Sequence, residues 1–124
     1  MARDQATLIK GATFYLTDLQ DANLSESNLE GASLFGAKLQ NTNLSNTNLR
    51  NATLDSAVFD GTNLTNAVLE DAFAYNSRFI NVNIKGSDFT NVVILGEDLK
   101  YLCSIANGTN PVTQKDTKQT LECS

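Results

Sequence analysis

Two cysteines, Cys103 and Cys123, and a scatter of carboxylates are the groups with which this 124-residue chain could do chemistry. It contains no histidine. Without an imidazole, and with both cysteines far from any base pattern, no nucleophile and base pair can be assembled. The cysteine spacing excludes a CxxC redox pair, and a metal site would need more ligands of the right kind. Two structural roles remain for the thiols. One is a bridge that closes a loop of about 20 residues and stabilises by roughly 3 kcal/mol in the chain-entropy model. The other is a pair of reduced, buried side chains. Glu26, Glu30, Asp60, Glu70 and Asp71 fall mostly at turns and outward positions, where charges are ordinarily just solvated. No Walker or dinucleotide fingerprint occurs, and the sequons "NLS", "NLT" and "NGT" are by-products of heavy asparagine use. The chain reads as noncatalytic, with no cofactor and no metal.

The elements that position these groups are legible from a spacing. Large apolar residues recur every five positions, at Phe14, Leu19, Leu24, Leu29, Leu34, Leu39, Leu44, Leu49, Leu54, Phe59, Leu64 and Leu69, then Phe79, Ile84, Phe89 and Ile94, with Ala74 the single gap. Two places before each centre stands a small or β-branched residue, such as Ala32, Thr42, Thr62 or Ser77. Two places after it stands Gly at 31, 36, 61 and 86, or Asn at 41, 46, 51, 66, 76, 81 and 91. A period of five matches neither the helix nor the strand. Gly and Asn tolerate tight turns, so each unit reads as a short extended piece closed by a corner. Four such units close a square, and one coil takes 20 residues.

The segments "ANLSE", "SNLEG", "TNLSN", "TNLRN" and "TNLTN" resemble the pentapeptide repeat family over about residues 9–96. The resemblance implies an all-β solenoid, a right-handed quadrilateral β-helix of about four coils, roughly 20 Å tall at the interstrand spacing. The expected division is an N-terminal arm or partial cap at 1–8, the β-helix at 9–96 and a small helical cap at 97–124 carrying a Cys103–Cys123 bridge. In "EDLKYLCSIA", Leu99, Leu102, Cys103 and Ala106 lie at helical spacing behind the acids Glu97 and Asp98. "NGTNP" ends that helix, and Asp116 is placed to cap a second short one.

Residues 20 apart stack, so each face can be written as columns. Phe73 is a rival to Ala74 for the inward position, and Phe59, Phe79 and Phe89 stand where they could fill the gap. Asn23, Asn43, Asn63 and Asn83 form a column whose amides are expected to hydrogen-bond along the axis. Glu30, Arg50 and Glu70 alternate in charge. Both columns read as stability features, since exposed cross-strand pairs contribute only about 0.2 to 1 kcal/mol each. The first face differs. Tyr15, Phe35, Phe73, Tyr75, Val93 and Leu95 gather there as a candidate interaction face, unless a terminal segment folds over it.

A net charge of −5 and the lack of a basic patch argue against nucleic acid. No apolar run is long enough to insert in a membrane, so the chain as given reads as soluble. Its opening "MARDQATLIKG" lacks the pattern of a signal peptide, which leaves synthesis in the cytosol or a removed targeting segment with an added Met. The tail "YLCSIANGTNPVTQKDTKQTLECS" is similar to that of pentapeptide repeat proteins of the plant thylakoid lumen and of cyanobacteria. That similarity implies the thylakoid lumen or a periplasm, compartments in which a disulfide persists, with the cytoplasm as the alternative. The expected function is a scaffold for a protein partner, with weak end-to-end or face-to-face self-association left open. The family's quinolone-resistance members, which mimic DNA toward gyrase, supply the alternative, a gyrase inhibitor or protector.

Overall fold

The computed structural model describes residues 11–124; the expected N-terminal arm at 1–8 lies outside the described residues. From Gly11 to Gly96 the backbone enters the left-handed region at every fifth residue, with φ between 50° and 78°. Gly and Asn hold most of these corners, as their conformational tolerance requires. Leu16, Asp21, Glu26, Ser56 and Asp71 hold the others, and at such positions ordinary side chains cost roughly 1 kcal/mol each. Most corners are tied by a short backbone bond, such as Ala57 N–H to the Leu54 carbonyl at 3.1 Å.

Between corners there is room for only a rung or two, so pairing appears mainly as single parallel bridges. Thr13 pairs with Ser33, Asp18 with Lys38, Asn23 with Asn43 and Asn28 with Asn48, an offset of 20 residues each time. Among the described residues only β1 (Val58–Asp60) and β2 (Arg78–Ile80) extend to three residues; they are parallel, with Phe59 opposite Phe79. Those two rings stack at 4.9 Å.

The repeated apolar centres make the core. Leucines 29, 34, 39, 44, 49, 54, 64 and 69 are all fully buried, as are Phe59 and Phe89. Burying one such side chain stabilises by about 1.5 to 3 kcal/mol, which is the main force holding the coils in register. The small inward residues do more than leave space. The hydroxyls of Thr42, Thr62, Ser77 and Ser87 each donate to the carbonyl 23 residues earlier, at 2.6 to 2.7 Å, stitching one coil to the last.

The chain then closes its own end. Helix α1 (Gly96–Ile105) carries Glu97 and Asp98 in its first turn and buries Leu102, and α2 (Thr117–Thr120) follows a loop. Cys103 and Cys123 are joined, with S–S 2.07 Å and Cα atoms 5.7 Å apart. Asp116 occupies the N-cap position of α2 but makes no capping bond; its carboxylate accepts from the Thr109 hydroxyl at 2.6 Å instead. The antiparallel bridge between Thr109 and Asp116 brings these two side chains together before α2 can use either. Among the described residues, no helix is long and apolar enough to cross a membrane.

Candidate interaction face

The six aromatic and aliphatic residues of the first face project from positions just before and just after the buried centres. Tyr15, Phe73, Tyr75, Val93 and Leu95 are 57 to 69% exposed, and Phe35 is half-buried beneath Tyr15, their rings stacked at 5.3 Å. The C-terminal segment leaves these five open and packs on the end of the shaft. Leu16, also exposed, extends the strip at the end nearest Tyr15. It occupies a corner with φ 55°, a setting that periodicity alone assigns to Gly or Asn.

Asp55 divides the strip. Its carboxylate accepts the backbone N–H of Tyr75 at 2.8 Å, a donor whose counterparts at Ser45 and Thr65 are taken by an asparagine two residues back, where Phe73 stands here. Beyond it the face opens into a groove of about 570 Å³ around Ala74, with Phe79 and Ile94 beneath and Phe73, Tyr75, Val93 and Leu95 along its edges. Phe73 does not turn inward. Ala74 keeps the inward place, buried but short of a leucine's volume, so the gap is relieved as a surface groove beside Phe79.

The polar columns behave differently from the amide ladder expected of them. The side-chain oxygens of Asn23, Asn43, Asn63 and Asn83 each accept a backbone N–H two residues on, at 3.0 to 3.1 Å. Local turns thus consume the acceptors that an axial ladder needs. Among the described residues, the amide-to-amide bond along the axis is that of Asn48 to Asn28 at 3.3 Å, one face over. Of the charged column, Arg50 pairs with Glu70 at 3.3 Å, while Glu30 accepts from Asn48 at 3.5 Å. The pair is partly exposed and contributes little.

The cap is docked by a residue that sequence reasoning passed over. Asn110 is fully buried, and its Nδ2 donates to the carbonyls of Asn66, Ala67 and Gly86 at 3.3, 3.2 and 2.9 Å. Its Oδ1 accepts from the N–H groups of Val112 and Thr113. Only its place before Pro111 in "NGTNP" hinted at anything beyond a turn. Phe89 N–H, left over by the last coil, donates to Thr120 Oγ1 at 3.0 Å.

Asp88 lies fully buried under this cap. Burial works to raise its pKa, but hydrogen bonding from Thr90, the facing Thr113 hydroxyl and the charge of Lys115 hold it below the usual carboxylate value. Asp88 Oδ2 and Thr113 Oγ1 are both buried without a hydrogen bond. The hydroxyl lies near enough to favour the carboxylate. Among the described residues, no group of three or more potential ligands is gathered to hold a metal ion.

A family model for pentapeptide repeats matches this chain in eight copies, over residues 6–34, 12–51, 32–71 and 57–94. The chain belongs to the pentapeptide repeat family. Relatives of known structure in this family imply a right-handed β-helix, in keeping with the corners and 20-residue register above. This pentapeptide repeat protein is 35% identical to one from the Arabidopsis thaliana thylakoid lumen, whose crystal structure superimposes with a TM-score of 0.64 over 98% of this chain and 88% of that one. It is also 42% identical over 48 residues to thylakoid lumenal 15 kDa protein 1, chloroplastic, of Arabidopsis thaliana. That stretch is 39% of this chain and 21% of the curated relative's length. QnrB1, a plasmid-mediated fluoroquinolone resistance protein, is 14% identical over 69% of this chain and 60% of that one, at a TM-score of 0.33. A superposition that loose says nothing of function. No catalytic family is indicated by these matches.

Proposed function

We propose that this pentapeptide repeat protein is a noncatalytic scaffold of the thylakoid lumen that binds a protein partner through its first face. The shaft, in this reading a quadrilateral of about four coils, serves as a rigid support. The observation that carries the reading is the strip from Tyr15 to Leu95, which stays exposed while the C-terminal segment seals the end of the shaft instead. Exposed aromatic and aliphatic side chains gathered on one face of a protein, rather than scattered singly, mark a contact site. The lumenal assignment draws on the two Arabidopsis thaliana lumen relatives and on the Cys103–Cys123 bridge, a bond that persists in oxidising compartments.

The test is capture of partners from thylakoid lumen extract with the wild-type protein and with a Phe35→Ser, Tyr75→Ser double variant. Proteins held by the first bait and lost by the second are the expected result. Identical sets from both baits, or none from either, would overturn a binding role for this face.

A further inference from the structure

On the first face the bridged ladder runs from Thr13 to Ser33, Thr53 and Phe73, then stops. Each earlier step has its backbone bond, such as Leu54 N–H to the Phe73 carbonyl at 2.6 Å and Phe73 N–H to the Ala52 carbonyl at 2.9 Å. The equivalent bonds between Ala74 and Val93, and between Val93 and Ala72, are absent. Val93, Ile94 and Leu95 lead into α1 without a ladder bond to the coil below, so the groove beside Ala74 contains an unpaired strand edge as well as an apolar floor. The third and fourth faces end differently, since the Gly86 and Phe89 N–H groups are taken up by Asn107 and Thr120 of the cap.

The charge around this groove is of one sign. Asp55, Asp71 and Asp98 line it, and no lysine or arginine does. Asp55 and Asp71 are held in place by Tyr75 N–H and by Asn91 Nδ2, each through a single oxygen, which leaves the second oxygen of each as a further acceptor. An extended segment can add to an open strand edge, with its backbone supplying hydrogen bonds and alternate side chains filling pockets. Of the side chains it could bring, arginine matches this lining best. Its guanidinium stacks on aromatic rings, here Phe73 and Tyr75, and pairs with carboxylates in a planar fork.

We propose that the groove beside Ala74 docks an extended, arginine-bearing segment of a partner protein, its backbone along the unpaired edge and its guanidinium among the three aspartates. This rests on the scaffold reading and names the chemistry of the partner. The probes are the peptide acetyl-Leu-Arg-Leu-amide and its citrulline counterpart, which keeps the shape and removes the charge. Each is titrated into the ¹⁵N-labelled, disulfide-intact protein. The arginine peptide should shift the amides of Ala74, Tyr75 and Val93, with the citrulline peptide at least tenfold weaker.

An Asp71→Asn, Asp98→Asn variant should weaken the arginine peptide at least tenfold, and Ala74→Leu, which fills the groove with the residue used elsewhere in the core, should abolish binding. Dispersed spectra of the free variants establish that both are folded. Equal binding of the two peptides, shifts confined to Tyr15 and Phe35, or no shifts would each overturn the proposal. So would concentration-dependent broadening of the groove amides without peptide, which would assign the site to a second copy of the chain. Should the peptides fail while partner capture still depends on Phe35 and Tyr75, the groove assignment falls and the scaffold reading stands.

Discussion

Asn110 Nδ2 lies 2.9 Å from the Gly86 carbonyl, 24 residues back in the chain, and this contact joins the cap to the open end of the shaft. The same nitrogen also reaches the carbonyls of Asn66 and Ala67, while Oδ1 organises the turn that follows. One side chain therefore satisfies polar groups on both sides of the junction. Replacing it with alanine takes the partner from the buried Gly86 carbonyl and from the Val112 and Thr113 N–H groups, while the Ala67 carbonyl keeps the Asp88 N–H; orphaned buried groups cost far more than a lost exposed bond. Asn110→Ala is expected to lower stability by about 3 kcal/mol, read from the urea midpoint at unchanged slope. A loss below about 0.5 kcal/mol would mean that water replaces the amide and that the cap is held elsewhere.

The bridge between Cys103 and Cys123 ties α1 to the last residues of the chain across a separation of 20. In the chain-entropy model such a loop contributes about 3 kcal/mol. For a domain of this size that corresponds to roughly 10 °C in melting temperature. Cys103→Ser should show that drop under oxidising conditions, and wild type in excess reductant should approach the same value. Equal melting temperatures for oxidised wild type and variant would show that the cap holds without the bridge.

How far the sequence discloses this structure follows the range of the interactions involved. The five-residue rhythm from Phe14 to Ile94 is a local pattern repeated many times, and the corners at Asn41, Asn46 and Asn51 adopt the positive φ their residue type favours. The partners of Asn110 lie 24, 43 and 44 residues away, and nothing local announces them. The 20-residue offset likewise stacks Asn23 on Asn43 and suggests an axial ladder, but it carries no sign of the competing turn bond two residues on. At the candidate face, the exposed column was legible from the 20-residue offset. The groove was not, since it needs both the small side chain of Ala74 and the failure of Phe73 to pair with Val93.

Asp88 gives the cap a dependence on pH with a definite sign. Its pKa in the folded protein is lowered from the ordinary 3.8, despite the opposing effect of burial. A depressed carboxylate contributes stability that is present above the unfolded value and lost as pH falls through the folded one. The contribution should be whole at pH 6 and should disappear progressively below about pH 4. Melting of wild type and Asp88→Asn between pH 6 and pH 2 checks this: wild type should be the more stable at pH 6, with the gap narrowing as the carboxylate protonates. A gap that stays constant would assign the effect of the substitution to packing against Thr90 and Thr113.

Thr62 tests whether the inward hydroxyls hold coil to coil or merely fit. Its Oγ1 donates to the Leu39 carbonyl at 2.6 Å, and that carbonyl also accepts Thr42 N–H at 3.1 Å. Thr62→Val keeps the shape and removes the donor, while the acceptor keeps its other partner, so no oxygen is left wholly unsatisfied. The expected loss is therefore that of one ordinary hydrogen bond, about 1 kcal/mol. Thr62→Ser retains the donor and gives up a buried methyl, which also costs about 1 kcal/mol. Denaturation of both variants separates the two contributions. If valine is neutral and serine is not, the inward position is chosen for volume alone, and the repeated bonds of Thr42, Ser77 and Ser87 are by-products of proximity.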